Sequence, residues 1–152
     1  MTSDGSAPAT EHPWLLDIER ELSNAAEVLE GLAPGITLFG SARATLDDHH
    51  YQCAEKLGQC LARAGLPVVT GGGPGIMEAA NRGAYEAGGV SVGLNIQLPY
   101  DETPNPYLTH QLHFLNFATR KLMLTRYASG FVVFPGGFGT VDELMELLVA
   151  FH

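Results

Sequence analysis

Phe131-Val132-Val133-Phe134-Pro135-Gly136-Gly137-Phe138-Gly139-Thr140 is the stretch that decides the fold. Four consecutive apolar residues with β-branched and aromatic side chains read as a strand buried on both faces. Pro-Gly-Gly ends it, and a helical pattern follows from Val141. The same order of events occurs twice more. Pro67-Val68-Val69-Thr70 runs into Gly71-Gly72-Gly73-Pro74-Gly75 and then a helix over Ile76 to Ala87. Ile36-Thr37-Leu38-Phe39 runs into Gly40-Ser41. Strand, glycine turn and helix in repetition specify a mostly parallel sheet with helices on both faces.

Working outward, the remaining elements fit this plan. Trp14, Leu15, Ile18, Leu22, Ala25, Val28 and Leu29 recur at helical spacing between Pro13 and Gly31. Asp47 or Asp48 can cap a helix that reaches about Ala64, with Tyr51, Ala54, Leu57, Cys60 and Leu61 inward and Gly65 as its C-cap. Val90 to Ile96 reads as a third strand, Leu98 to Tyr107 as a proline-rich loop, and Thr109 to Phe114 as a fourth strand. Asn116 to about Ser129 reads as a helix before the fifth strand at Phe131–Phe134. The expectation is an α/β, three-layer, doubly wound (Rossmann-like) domain over residues 13–152, with a flexible tail at 1–12, a first helix at 13–31 and a core at 36–152. The last helix, Thr140 to His152, stops on Leu148-Val149-Ala150-Phe151 without a cap. The domain is therefore expected to lack its C-terminal end, a closing strand and helix.

Composition limits the partners. Seventeen acids against eight Lys and Arg give a net charge of −9, which disfavours nucleic acid and anionic membrane surfaces. Only 16% of the 152 residues are charged, against about 25% in an ordinary soluble domain, so part of the surface is expected to be covered, by partner subunits or by chain missing from this sequence. Cys53 and Cys60 stand seven apart on one predicted helix, about 10 Å along its axis, too far to form a disulfide. They read as buried thiols, and no metal site is expected. The N-terminus has no basic region followed by an apolar core, and no apolar run approaches membrane-spanning length. These features point to a soluble, cytoplasmic protein.

The glycine turns should share one rim, since ligands in such sheets bind at the carboxyl ends of strands. Gly40-Ser41-Ala42-Arg43 offers a hydroxyl, a backbone N–H and a guanidinium. Gly71 to Glu78 fits neither GxGxxG nor the P-loop, yet its glycines admit a close ligand, and the following helix start favours anions. Pro135 to Thr140 repeats that device. Thr140 can also serve as the N-cap of the last helix. Asp142, Glu143 and Glu146 follow at once. Carboxylates beside a phosphate cradle are electrostatically costly, which points to a catalytic base or an acceptor for ribose hydroxyls. Arg120-Lys121 is the one adjacent basic pair. Arg43, Arg82, Arg120, Lys121 and Arg126 make five of the eight basic residues and all lie in or beside these segments, a pattern expected of phosphate binding.

Taken together, GGGPGIMEAANRGAYEAGG, LNIQLP, PNPY, RKLML and FPGGFGTVDEL resemble the Lonely Guy family of cytokinin riboside 5′-monophosphate phosphoribohydrolases, many of whose members were once called lysine decarboxylases. The resemblance covers roughly Ile36 to Phe151. It implies hydrolysis of the N-glycosidic bond of a nucleoside 5′-monophosphate to free base and ribose 5-phosphate. It places the catalytic pair on Arg120 and Glu143, and the phosphate cradle on Gly136, Gly137, Gly139 and Thr140. Gly72, Gly73 and Gly75 would line the nucleotide site. Gly40, Ser41, Glu78, Lys121 and Glu146 complete the expected substrate-binding set. A homodimer or higher homo-oligomer is implied, with no metal and no cofactor. Lysine decarboxylation is disfavoured because pyridoxal-phosphate chemistry needs a Schiff-base lysine, and Lys56 and Lys121 are the only lysines. The first lies mid-helix and the second in the basic pair. The alternative is a non-catalytic nucleotide-binding, sensing or cofactor-carrier protein on the same fold.

Overall fold

A computed structural model describes residues 12–100 and 103–152. The expected tail at 1–12 lies outside the described residues except for His12. In chain order the elements are α1 (Pro13–Glu30), β1 (Gly35–Phe39), α2 (His49–Arg63), β2 (Val68–Thr70), α3 (Ile76–Glu86), β3 (Ser91–Ile96), β4 (His110–Phe114), α4 (Phe117–Arg126), β5 (Ala128–Val133) and α5 (Phe138–Ala150). The five strands form one sheet in the order β4-β3-β2-β1-β5, and every pair is parallel.

Neighbouring residues of each strand supply opposite cores, which is why the strands are continuously apolar. Leu38 and Val68 pack with Ala80 and Ala84 of α3 and with Leu57 and Leu61 of α2. Phe39, Val69, Val92 and Leu94 pack with Leu29 of α1, Met123 and Leu124 of α4, and Leu147 of α5. Helices α2 and α3 therefore cover one face, and α1, α4 and α5 the other. Thr37 is buried among the second group and is satisfied by donating from Oγ1 to the Leu124 carbonyl at 2.9 Å.

From β1 the chain steps outward through β2, β3 and β4, then returns through α4 to lay β5 on the free side of β1. The turn after β1 leads to α2 on one face, and the turn after β5 leads to α5 on the other. This divergence opens a crevice at the carboxyl ends of β1 and β5, the usual ligand position in an open α/β sheet.

Several expectations are corrected. Helix α4 ends at Arg126, and β5 begins at Ala128 and ends at Val133. Ala128-Ser129-Gly130 pairs with β1 at Gly35 and Ile36 although it carries no β-rich signal. Trp14 and Leu15 are exposed, because only the second half of α1, from Leu22 through Ala25 to Leu29, reaches the sheet. The thiols are not buried: Cys53 is half-buried and Cys60 exposed. Helix α2 buries Tyr51, Ala54 and Gly58, and Cys60 lies two residues and about 200° around the helix from Gly58. Asp48 is the α2 cap, accepting from the His50 N–H at 2.8 Å.

Candidate active site

A cleft of about 700 Å³ lies over the carboxyl ends of β1, β2 and β3 and the start of α5. Among its lining residues are the expected Gly40, Ser41, Arg120, Gly137, Gly139, Thr140 and Glu143, together with Arg43. On the β3 side the wall is apolar, made by Met77, Ile96, Leu98 and Phe117.

Helix α5 begins at Phe138 with Gly137 as its N-cap and no side-chain cap bond. Thr140 is thus the third helical residue rather than the cap; its buried side chain lies against Gly136, where a Cβ would collide with the hydroxyl. The first N–H groups of a helix have no partner within it, and here they sit at the cleft with the positive end of the helix dipole. Ser41 stands beside them: its N–H donates to the Pro135 carbonyl at 3.1 Å, and its Oγ accepts from the Arg43 N–H at 3.1 Å.

The glycine turn after β2 also holds its neighbours in place. Gly75 has φ 71° and caps α3, a left-handed conformation suited to glycine. The Ile76 N–H at the start of α3 donates to the Ser41 carbonyl at 3.0 Å, so the first turn covers that helix start. Gly72, Gly73, Gly75 and Glu78 do not line the cleft; Gly71 does. The Gly71 carbonyl accepts from Arg120 Nη2 at 3.1 Å, and the Leu94 carbonyl accepts from Arg120 Nε at 2.6 Å. A Cβ on Gly71 would collide with the guanidinium, so the absence of a side chain there makes room for Arg120.

Glu143 follows Gly139 by four residues, which places both on one face of α5. Burial pushes its carboxyl up to about 7; Arg120 and Lys121 oppose that rise, while Asp142 and Glu146 add to it. Lys121 does not line the cleft. Its Nζ is paired with Asp142 Oδ2 at 2.7 Å and Glu146 Oε2 at 2.9 Å, and these bonds raise its pKa. Lys121 and Glu146 therefore join α4 to α5 beside the site. Of the five clustered basic residues, Arg82 pairs with Glu86 at 3.1 Å and lies over the Tyr107 ring, and Arg126 is exposed at the end of α4. Only Arg43 and Arg120 line the cleft.

Helix α4, which carries Arg120, has no cap bond from its own Asn116. Glu21 of α1 instead gathers the residues around that helix start. Its carboxylate accepts from the Leu115 N–H, from Asn116 Nδ2 at 3.1 Å and from Thr119 Oγ1 at 2.6 Å. Burial raises the Glu21 pKa, but these bonds outweigh it and leave the carboxyl below its ordinary value.

Residues 77–152 match the family described as "Possible lysine decarboxylase". The pyrimidine/purine nucleotide 5′-monophosphate nucleosidase of Escherichia coli (strain K12) is 30% identical over 135 residues, 84% of this chain and 30% of that protein. The cytokinin riboside 5′-monophosphate phosphoribohydrolase of Rhodococcoides fascians is 31% identical over 123 residues, 77% of this chain and 61% of the relative. The chain thus spans under two thirds of the length of these curated relatives. Among solved structures, the molybdenum cofactor carrier protein of Chlamydomonas reinhardtii superposes with a TM-score of 0.65 at 26% identity, covering 78% of this chain and 72% of that one. With its glycine turns on one rim, its PGGFGT segment at the start of α5 and the family match spanning both Arg120 and Glu143, the chain belongs to the Lonely Guy family, the group also described as possible lysine decarboxylases.

Proposed function

We propose that the cleft hydrolyses the N-glycosidic bond of a nucleoside 5′-monophosphate, releasing free base and ribose 5-phosphate. The observation that carries this reading is the Glu143 carboxyl, held near pKa 7 in a cleft that also presents a helix N-terminus and Arg120. The phosphate is held by the first N–H groups of α5 with Ser41 and Arg43, and the base lies against the apolar wall of Met77, Ile96, Leu98 and Phe117. As the C1′–N bond breaks, its electron pair leaves on the base nitrogen and C1′ acquires oxocarbenium character. The Glu143 carboxylate stabilises that cation and takes a proton from the water whose oxygen adds to C1′; the base nitrogen takes up a proton in turn. Arg120 orients the sugar or phosphate. Binding energy from the phosphate, remote from the broken bond, positions the ribose.

The reading extends to a cytoplasmic homo-oligomer without nucleic-acid partners. Large apolar side chains exposed along α5 support self-association. Among the described residues no helix is long and apolar enough to cross a membrane.

The molybdenum cofactor carrier neighbour motivates a second reading, a carrier that binds without turnover. Glu143 favours the hydrolase, since a carrier has no use for a half-buried carboxyl poised to accept a proton beside bound phosphate. Incubating the protein with AMP, GMP, CMP and isopentenyladenosine monophosphate decides between them. Release of base and ribose 5-phosphate is expected. Tight binding with no release would transfer the case to the carrier.

A further inference from the structure

The PNPY segment of the loop between β3 and β4 has no part in the site described so far, yet Asn105 is buried, only 7% exposed. Its Nδ2 donates to the Gly73 carbonyl at 3.0 Å and to Asn81 Oδ1 at 3.1 Å. Its backbone N–H donates to the Gly72 carbonyl at 2.9 Å, and its Oδ1 accepts from the Tyr107 N–H at 3.1 Å. Asn95 Nδ2 adds a second donor to the Gly72 carbonyl at 3.0 Å. Outside, Tyr107 is held under Arg82 and against the edge of Tyr85.

The bonds continue toward the cleft. Asn81 Oδ1 also accepts from Thr70 Oγ1 at 2.5 Å, and Thr70 Oγ1 accepts from the Gly72 N–H at 2.9 Å. That N–H belongs to the same rigid peptide plane as the Gly71 carbonyl, and the Gly71 carbonyl accepts from Arg120 Nη2. Fixing one side of the plane fixes the other. The route Asn105–Asn81–Thr70–Gly72 therefore ends on the carbonyl that aims Arg120. A glycine turn has wide conformational freedom of its own, so something outside it must choose its peptide orientation, and buried amides hydrogen-bonded to its carbonyls do this.

We propose that Asn105 is a positioning residue for Arg120, clamping the Gly71–Gly73 turn so that the Gly71 carbonyl holds the guanidinium in the cleft. This rests on the hydrolase reading for its kinetic consequence, but not for its structural one. The test therefore has two readouts. Independently of turnover, NMR titration of the Glu143 carboxyl reports where Arg120 lies. The charged groups acting on Glu143 are Arg120 and Lys121 from α4, and Asp142 and Glu146 from α5. In Asn105→Ala the Glu143 midpoint is expected to rise above the wild-type value, toward that of Arg120→Ala, and Asn105→Ala in the Arg120→Ala background is expected to move it no further. In kinetics, Asn105→Ala lowers kcat by up to about a hundredfold, the scale of a 1 Å misplacement, with little change in KM and no additional loss when Arg120 is already alanine. Thr70→Val, which keeps the side-chain shape and removes the hydroxyl link, is read in the same way and serves should Asn105→Ala not fold. An unmoved Glu143 titration in the folded variants overturns the proposal, as does an effect that persists undiminished without Arg120. If wild-type protein turns over no nucleotide, the titration still decides the positioning role while the hydrolase reading alone is lost.

Discussion

At the scale of single residues, Glu143 sets the most specific expectation. Its carboxyl ionises near 7 in the folded protein, against 4.5 as the ordinary value, with burial the main cause. If its carboxylate is the working form, kcat/KM rises with pH through a midpoint near 7 and is level above it. Glu143→Gln removes that limb and lowers kcat by about 10²–10⁴. The same shift makes a stability statement of the opposite sense. Below pH 4.5 the carboxyl is protonated in both folded and unfolded chains and costs nothing. Between 4.5 and about 7 the unfolded chain releases the proton and the folded one keeps it, so stability falls as pH rises. Above 7 the folded protein carries the full cost of a buried charge. Glu143→Gln is therefore expected to be more stable than wild type at pH 8, by about 1–2 kcal/mol once partial solvent exposure is allowed for, with no gain at pH 4. Thermal unfolding at the two pH values checks this, and an inactive variant more stable only at high pH is the expected signature. That carboxylates follow the PGGFGT turn at a helix start was legible in the sequence, while the choice of Glu143 among Asp142, Glu143 and Glu146 came from the family resemblance. Which glycines face the ligand was not legible. Gly71, Gly72, Gly73 and Gly75 look alike in sequence, and only the fold shows that Gly71 lines the cleft while Gly75 lies against Ser41 and Ala42.

At the scale of elements, α4 owes its position to α1. Three donors at the α4 N-terminus converge on Glu21, 94 to 98 residues earlier in the chain. A carboxylate at a helix N-terminus also complements the dipole. Glu21→Gln is expected to destabilise the protein by about 1–2 kcal/mol at pH 7, the worth of charge-assisted bonds in a partly solvated site. Because the folded pKa of Glu21 lies below its ordinary 4.5, the contribution is complete above 4.5 and fades as pH falls through the folded value. Denaturant unfolding of the two proteins should thus diverge at pH 7 and converge in acid. Since Thr119 adjoins Arg120, the variant should also lower kcat more than it changes binding. Nothing local in the sequence announces this contact. In sequence, Asn116 reads only as the start of a helix. The alternation of strands and helices, by contrast, was plain, because continuous apolar runs and glycine breaks are local signals. The limits of β5 failed where that signal fails: Ala128-Ser129-Gly130 gains its strand geometry from pairing with β1.

At the scale of the whole molecule, the low charge noted in the sequence has a structural counterpart. Helix α5 contributes Leu147 to the core, yet Phe138, Val141, Met145, Leu148 and Val149 are all exposed, Phe138 almost completely at 96%. Positions 138, 141, 145, 148 and 149 follow helical spacing, so they form one stripe along α5 rather than scattered contacts. Leu115, Phe117 and Leu122 are exposed on and beside α4, the helix tied to α5 through Lys121. An exposed apolar stripe of this length marks a surface suited to being covered by other protein. Phe138 follows the Gly137 cap directly and also lines the cleft, so whatever covers the stripe also closes one side of the site. Sedimentation velocity is expected to show reversible, concentration-dependent self-association. Leu148→Glu, which places a charge near the C-terminal end of the stripe and away from the cleft lining, should shift the protein toward monomer without unfolding it. If oligomerisation through this band seats Phe138, the same substitution weakens nucleotide binding in proportion to the loss of oligomer, and raising the protein concentration restores it; a Leu148→Glu protein that binds nucleotide equally well as a monomer would separate the surface from the site.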